Sequence, residues 1–312
     1  MPAEAGARRL RDNPMTKLTL GPVLFNWKPE TLRDFYFRMA DESCVDSVHV
    51  GEVVCSKRTP FFEPFIPEIV ERLAAAGKEV VLSSLALIMS DREMAQARDL
   101  AQSDGIMVEA NDISVAALMQ GRPFVAGPLL NVYNEGTLAT LRSMGAVRVC
   151  LPAELSADAV AALAASTPME VEIQAFGRLP LAISARCYAA RARNLSKDGC
   201  QYVCADDPDG MAVETLDEVP FLAVNGTQTM SYHAMDLLGD VAGLAARGIG
   251  RFRLWPQTFD MVAVAALFRA VLAGKAGVEE AEDRLATLCP GAEFANGYIH
   301  GRPGHLFIEA GD

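Results

Sequence analysis

Cysteines are the residues of this 312-residue chain best suited to chemistry, and there are seven of them. Three of these, Cys187, Cys200 and Cys204, fall within one segment that is rich in Asp, Gly and Arg and poor in core residues. Thiols in such a segment do not fill a hydrophobic interior, so they are candidate metal ligands. The odd cysteine count and the absence of a secretory apolar region at the start argue against a disulfide framework and predict a cytoplasmic protein.

The elements that must position these thiols are strands and helices that alternate along the chain. From residue 18 onward, short apolar runs of strand type alternate with longer runs of helical spacing. Eight strands are predicted, at residues 18–24, 45–50, 79–87, 105–108, 123–126, 147–151, 169–174 and 251–254. This tally predicts a (β/α)8 barrel of the TIM type. A doubly wound open sheet is the alternative, which is disfavoured because Gly21-Pro22-Val23 does not match the dinucleotide fingerprint GxGxxG.

The chain divides into three predicted parts. Residues 1–17 have three arginines and no apolar periodicity, so they are predicted to be a flexible leader, with Met15 as an alternative start. Residues 18–274 form the predicted barrel domain, residues 179–219 its insertion after strand seven, and residues 275–312 a C-terminal tail. A short strand at 221–224 and a helix at 235–247 are predicted between this insertion and strand eight.

Placing the cysteines on the barrel separates them into two groups. Cys55 follows strand two and Cys187 follows strand seven, so both belong to the C-terminal face, where barrel enzymes build their active sites. Cys200 and Cys204 lie in the insertion with the spacing C-x3-C and can fold over the same face. The other three cysteines are expected to be bystanders: one before strand two on the opposite face, one inside strand six, and one in the tail (Cys44, Cys150 and Cys289).

Tetrahedral thiolate ligation suits both zinc and iron-sulfur clusters. Structural zinc usually takes two tight cysteine pairs, whereas only one tight pair is present here and Cys55 is over a hundred residues from Cys187. The separate corners of a 4Fe-4S cube tolerate scattered ligands better, so the spacing favours the cluster without excluding zinc. Arg186 and Arg191 could neutralise an anionic cluster.

Four motifs occur together in this chain. They are LGPVL at 20–24, GEVVCSKR at 51–58, LPLA with SARC between 179 and 187, and NGTQTMS at 225–231. In these motifs the sequence resembles the collagenase-like peptidase family, and within it the branch that serves ubiquinone biosynthesis. The resemblance covers about residues 18–273.

The resemblance implies a 4Fe-4S cluster held by Cys55, Cys187, Cys200 and Cys204. It further implies pairing with a homologous subunit as a heterodimer, and support of an oxygen-independent, anaerobic hydroxylation of the ubiquinone ring precursor. On this interpretation the family's peptidase label is historical, and the catalytic residues are unknown.

Two other functions stay open. A peptidase finds little support, because neither HExxH nor GxSxG is present and the four histidines have no evident catalytic setting (His49, His233, His300 and His305). Nothing in the sequence orients a nucleophilic pair of Cys55 and His233. A scaffold subunit with a purely structural metal site cannot be separated from a redox subunit by sequence alone.

The charge balance of the chain indicates which kinds of partner it does not favour. With 28 basic and 40 acidic residues the net charge is -12, which disfavours nucleic acid and anionic lipid surfaces. No apolar run reaches the length of a membrane span. Six polar residues lie near predicted strand ends: Glu52, Glu109, Asn111, Asn131, Glu154 and Gln174. Such residues could line a pocket at the barrel mouth or cap helices. Of the six, we favour Glu52 as a pocket residue.

Overall fold

Eight parallel strands close into a barrel in the computed structural model, which describes residues 16–309. The predicted leader lies outside the described residues except at its last two positions. The barrel strands, in chain order, are β1 (Lys17–Leu20), β2 (Ser47–Val50), β3 (Glu79–Ser83), β4 (Met107–Ala110), β5 (Phe124–Ala126), β6 (Ala146–Cys150), β7 (Glu170–Ile183) and, after three further strands that are described below, β11 (Arg251–Leu254). Strand β11 pairs in parallel with both β1 and β7, which closes the ring and confirms the predicted (β/α)8 architecture.

Most of the helices follow the barrel strands and cover the outside of the ring, whereas the short helix that begins at Tyr188 lies in the insertion. They are α1 (Pro29–Glu42), α2 (Thr59–Phe62), α3 (Ile66–Ala75), α4 (Asp91–Ala101), α5 (Ile113–Leu118), α6 (Glu135–Met144), α7 (Ala157–Ala165), α8 (Tyr188–Ala192), α9 (Val241–Ala246), α10 (Met261–Leu272) and α11 (Val278–Leu288). Local sequence explains where two of the helices begin. Pro29 is the first residue of α1, and the Ser90 hydroxyl accepts the backbone N–H of Glu93 at the start of α4. None of the helices within residues 16–309 is long and apolar enough to cross a membrane.

The outward-facing strand residues form the hydrophobic core with these helices. Leu18, Val48, Phe124 and Phe252 are fully buried there, as expected for strands covered on their outer face. The inward-facing residues are different, because many of them are charged. Arg148, Glu172, Arg251 and Arg253 are all at most 5% exposed. Barrel interiors are usually filled by branched aliphatic side chains, so this charged filling is a distinguishing feature of the chain.

In the region after β7 the predicted short strand at 221–224 is confirmed, but most of the regular structure there was not predicted. Strand β7 continues to Ile183 and pairs there with the antiparallel strand β10 (Gln228–Asp236). Two further strands extend this sheet, β9 (Pro220–Asn225) and β8 (Met211–Glu214), and β12 (Phe294–Ala295) joins β10 in parallel. The predicted helix at 235–247 is therefore wrong in its first half, since β10 runs to Asp236 and α9 begins only at Val241.

Candidate functional site

Cys55 lies in the loop between β2 and α2, and Glu52 shapes this loop. One carboxylate oxygen of Glu52 accepts the backbone N–H of Val54 at 2.7 Å and that of Cys55 at 2.9 Å. Burial raises the pKa of the Glu52 carboxyl, while the neighbouring Arg58 guanidinium lowers it. The predicted pocket residue therefore acts locally as an acceptor that fixes the backbone at Cys55.

Cys187, Cys200 and Cys204 lie together in the insertion. Cys187 directly precedes α8, and Cys204 is in the short 3-10 helix at Val203–Asp206. Both are buried in a small apolar cluster with Ala189 and Ala190, against which the partly buried Cys200 packs. This cluster is separate from the main core. The insertion thus places its three cysteines in one small cluster.

A side-chain amide and a backbone contact hold Cys204 against the barrel. The Asn26 amide nitrogen donates to Cys204 Sγ at 3.3 Å, and Asn26 follows β1. The Asn225 amide nitrogen donates to the Cys204 carbonyl oxygen at 2.8 Å, and Asn225 ends β9. Donor groups that point at a sulfur are typical of the surroundings of thiolate metal sites, where they stabilise negative charge.

Arg58 connects the Cys55 loop with the insertion. Its guanidinium donates to the Leu24 carbonyl oxygen at 3.0 Å and to the Asn225 side-chain oxygen at 2.7 Å, and the side chain is only 3% exposed. Burial alone would lower the pKa of Arg58, but Glu52, Cys204 and Cys55 raise it above its ordinary value. Arg58 Nε is buried and has no hydrogen-bond partner among the described residues.

Lys57 forms a second connection. Its ammonium group donates to the Lys197 carbonyl oxygen at 2.8 Å and to an Asp198 carboxylate oxygen at 2.9 Å, next to Cys200. The ion pair with Asp198 raises the pKa of Lys57, and Cys200 and Cys55 add to this effect. The Thr227 hydroxyl also donates to the Val54 carbonyl oxygen at 2.8 Å. Loops that are far apart in sequence are thus tied at one face of the barrel.

Cysteine thiols, the buried Arg58 and the partly exposed Lys57 occur at the same face, and residues of these types suit an anionic, thiolate-ligated group. A cavity of about 360 Å³ adjoins Cys55, Lys197 and Thr227, and one of about 300 Å³ adjoins Lys57, Cys200 and Tyr202. Within residues 16–309 no three His, Cys, Asp or Glu side chains lie close enough to hold a single metal ion. The residue types at this face are thus the ones that a cluster would need, but their side chains are not arranged as a metal site.

Arg186 and Arg191, the two cations expected to neutralise a cluster, are both exposed. Lys57 and the buried Arg58 are the cations whose pKa values the cysteines raise. Both residues lie within three positions after Cys55 in the motif GEVVCSKR, so their position in the motif was the available signal.

The three other cysteines lie apart from this face. Cys44 is exposed just before β2, at the amino end of the barrel strands. Cys150 is the last residue of β6 and is fully buried, and burial raises the pKa of its thiol well above the ordinary value. Cys289 is buried after α11, where burial and the nearby Asp236 raise its pKa to about 12.

The histidines are placed away from Cys55. His49 is buried inside the barrel, where its Nδ1 lies 3.3 Å from Glu109 and burial lowers its pKa. His233 lies 3.2 Å from Glu293 and its ring packs near that of His305. His300 lies 3.2 Å from Asp240.

The remaining polar residues predicted near the mouth divide into buried and exposed ones. Glu109, Asn111 and Gln174 are buried and hydrogen-bonded, with Asn111 donating to Glu109 at 3.2 Å and Gln174 accepting from Trp255 at 2.9 Å. Asn111, Asp112 and Ser156 were all expected to cap helices, and Asp112 and Ser156 do so at the starts of α5 and α7, whereas Asn111 does not. Asn131 and Glu154 are not fully buried.

Comparison with known proteins gives one family match over most of the chain: the model of peptidase family U32 matches residues 30–308. This agrees with the collagenase-like family expected from the motifs. Among solved structures, the chain is similar to a tryptophan synthase complex from Pyrococcus furiosus, with 12% identity, 88% of this chain and 98% of that chain covered, and a TM-score of 0.41. It is also similar to the spore coat polysaccharide biosynthesis protein SpsE from Bacillus subtilis, with 10% identity, coverages of 96% and 76%, and a TM-score of 0.44.

Proposed function

The chain belongs to peptidase family U32, and from this premise we propose that it is a 4Fe-4S protein of anaerobic ubiquinone biosynthesis. In this proposal it has a UbiV-like role, working with a homologous UbiU-like subunit to support oxygen-independent hydroxylation of the aromatic ring precursor. The observation that supports it is the joining of the Cys55 loop to the cysteine-bearing insertion through Arg58 and Asn225.

The four proposed ligands are Cys55, Cys187, Cys200 and Cys204. Around them the chain supplies positive charge from Lys57 and Arg58 and an N–H donor from Asn26. These groups lower the free energy of thiolates that would otherwise repel one another. When bound, a 4Fe-4S cluster supplies one-electron redox chemistry, and its potential depends on such hydrogen bonds and charges.

The chain's own side chains also set the pH at which the ligands form. Burial and the Glu52 carboxylate raise the pKa of the Cys55 thiol, and Arg58 and Lys197 lower it in part. Cys55 is therefore protonated at neutral pH in the metal-free chain, and loading of a metal must release this proton.

Peptidase chemistry at Cys55 is the weaker alternative. A cysteine nucleophile needs a depressed pKa and an adjacent base, whereas the pKa of Cys55 is raised and His233 contacts Glu293 instead. A scaffold subunit with a structural metal site shares the same ligands and is distinguished by redox behaviour.

Anaerobic purification with iron and sulfide analysis tests the proposal. We expect about four iron atoms per chain and a brown colour that bleaches with dithionite. Each of Cys55→Ala, Cys187→Ala, Cys200→Ala and Cys204→Ala should lose most of the iron, whereas Cys44→Ala and Cys289→Ala should keep it. Full iron retention in Cys55→Ala would refute the ligand set, and a colourless protein with stoichiometric zinc would refute the cluster.

Co-expression with a UbiU-like subunit tests the partner separately. Light scattering after size exclusion should give the mass of a one-to-one complex. A mass that stays at 33.5 kDa for this chain would contradict the heterodimer but not the cluster.

A further inference from the structure

A cavity of about 290 Å³ lies where β7 and β10 pair beyond the barrel. Arg178 of β7 and Tyr232 of β10 line it, together with residues 257–259 after β11, residues 290–293 before β12, and Asp209 of the insertion. None of the described residues on this lining is a cysteine or belongs to the loop between β2 and α2, so the cavity is separate from the thiol face. Its volume is near the lower end of the range for small-molecule sites, about 300 Å³.

Arg178 brings into this cavity a cation that no carboxylate contacts directly. Its Nη1 donates to the backbone carbonyl oxygen of Ser231 at 3.3 Å and to that of Tyr232. Its Nε and Nη2 make no hydrogen bond to any residue that the structure describes, and Asp209 and Glu293 act on it only through longer-range attraction. Burial lowers the pKa of Arg178, but a guanidinium stays protonated at neutral pH.

The two free nitrogens of Arg178 suit a carboxylate. Nε and Nη2 lie on the same edge of the planar guanidinium, and their N–H groups match the spacing of the two oxygens of a carboxylate. The backbone of β10 holds the remaining nitrogen, and the Tyr232 ring packs against the guanidinium with its centroid 5.0 Å from Cζ. The orientation of this edge is therefore fixed before a ligand arrives.

Two acidic side chains line the same cavity. The Asp209 carboxylate accepts the backbone N–H of Thr258 at 3.0 Å and also the Thr258 hydroxyl. Glu293 is exposed, and one of its carboxylate oxygens lies 3.2 Å from His233 Nε2. Since a carboxylate can accept about four hydrogen bonds, both groups keep acceptor capacity for an ammonium group. One cation beside two carboxylates favours a ligand that carries both charges over a simple anion.

The rest of the cavity offers apolar surface. The rings of Tyr232 and Phe259 contribute to it, together with Ala234, Pro290 and Ala292. Such a surface gains free energy by removing an apolar side chain of a ligand from water.

We propose that this cavity binds a free α-amino acid with an apolar or aromatic side chain. Nε and Nη2 of Arg178 take the carboxylate, and Asp209 and Glu293 take the ammonium group. A ligand held by both Arg178 and Asp209 connects β7 to the insertion, so its binding stabilises the insertion against the barrel. The proposal uses no feature of the proposed cluster and is independent of it.

Isothermal titration calorimetry on the full-length chain tests this inference with three probes. L-phenylalanine carries both charges, 3-phenylpropanoate lacks the ammonium group, and 2-phenylethylamine lacks the carboxylate. We expect L-phenylalanine to bind at least about tenfold more tightly than either of the others, because each of them leaves one charged group of the cavity without its partner.

Two substitutions separate the two ends of the ligand. Arg178→Met should weaken binding of L-phenylalanine at least about tenfold and leave that of 2-phenylethylamine no weaker. Asp209→Asn, which keeps the shape of the side chain and an acceptor for the Thr258 N–H, should weaken both of these ligands and leave 3-phenylpropanoate no weaker. Arg98→Met and Asp217→Asn are the matched controls, since both residues are exposed and lie outside the lining.

Absence of L-phenylalanine binding, or equal affinity for the three probes, would overturn the inference. So would equal weakening of all three probes in both variants, because a purely structural effect does not distinguish a carboxylate from an ammonium group. Circular dichroism monitors folding, and Asp209→Asn decides the matter if Arg178→Met fails to fold.

Discussion

Arg253 is a fully buried charge at the centre of the barrel. Its guanidinium lies 2.6 Å from a Glu109 carboxylate oxygen and 2.8 Å from one of Glu172, and all three side chains are at most 1% exposed. Burial alone would raise the pKa of both carboxyls, but Arg253 holds the pKa of Glu109 well below its ordinary value and lowers that of Glu172. Arg253 is therefore the main counter-charge of both carboxylates, with further contributions from His49 to both and from Arg251 to Glu172.

Removal of the charge by Arg253→Met should destabilise the protein strongly. Two buried carboxylates would lose their counter-ion, and breaking a buried ion pair costs about 3–5 kcal/mol of the free energy of unfolding. Urea unfolding followed by circular dichroism measures this loss.

Arg247→Met is the matched control, because Arg247 pairs with Asp158 at the surface, where their side chains are 41% and 93% exposed. Exposed pairs contribute about 0–1 kcal/mol, so the control should change little. Equal losses in the two variants would contradict a special contribution from the buried network.

The sequence predicts the role of a single residue only where a motif or a strand end marks its position. Glu52 was picked out by its place after a strand, although its contact with the backbone of Cys55 was not foreseen. Arg253 was missed because a charged residue in a short strand gives no sign of whether it faces water or the barrel interior. Its partners Glu109 and Glu172 lie over eighty residues away in sequence, and only ring closure brings them together.

At the scale of elements, the turn between β9 and β10 organises the cysteine face. Gly226 has φ +72°, and its carbonyl oxygen accepts the N–H of Tyr188 at 3.0 Å, next to Cys187. A Cβ at this position would collide with the Arg58 guanidinium. The turn therefore needs glycine both for its backbone conformation and for the close approach of Arg58.

Gly226→Ala should accordingly displace Arg58 and loosen the connection between the Cys55 loop and the insertion. We expect a loss of about 2–4 kcal/mol in the free energy of unfolding, from backbone strain and from polar groups left unpaired. Anaerobic iron content should fall in parallel.

Gly274→Ala serves as its control, since Gly274 has a similar φ of +64° but a Cβ added there would meet no atom within 4 Å. Backbone strain alone should then lower the free energy of unfolding by about 1 kcal/mol and leave the iron content unchanged. If both variants behave alike, the contact with Arg58 has no special importance.

Elements after β7 were the hardest to predict. The sequence indicated an irregular insertion and a helix from 235, whereas β7 continues to Ile183 and β10 runs through Asp236. Strand β10 is stabilised by pairing with both β7 and β9, and its register with β7 shifts between Met230 and Ala234. Such pairing depends on distant residues and interrupts strict alternation, so a local pattern does not reveal it.

At the scale of the whole molecule, the barrel was predictable because its eight strands are short strand-type segments that alternate with helical segments. The closure of β11 on β1 and β7 bears this out. The charged interior was not predictable, since the sequence does not show that charged residues such as Arg251 and Arg253 face the inside of the barrel. The placement of the thiols relative to Arg58 depends in turn on this closure and on the sheet beyond β7.

Asp236 makes the stability of the whole fold depend on pH. Its side chain lies at the end of β10 and is 4% exposed. Burial raises the pKa of its carboxyl to about 7, from an ordinary value near 3.8. The N–H of Leu238 lowers this pKa in part, and Glu282 and Asp240 raise it further. The folded chain therefore keeps a proton on Asp236 between about pH 4 and pH 7 that the unfolded chain has lost. Since the folded state binds more protons in this window, the contribution of Asp236 to the free energy of unfolding falls as pH rises and is constant above the window.

Asp236→Asn should remove this dependence, because an amide stays uncharged and its oxygen can still accept the Leu238 N–H. At about pH 8 the variant should be more stable than the wild type by up to a few kcal/mol, at about 1.4 kcal/mol per unit of pKa, and near pH 4 the two should be alike. Urea unfolding at intervals from about pH 4 to pH 8 measures the difference, with the exposed Asp217→Asn as a control whose difference from wild type should not vary with pH. A difference for Asp236→Asn that stays constant across this range would show that the buried carboxyl does not retain its proton in the folded state.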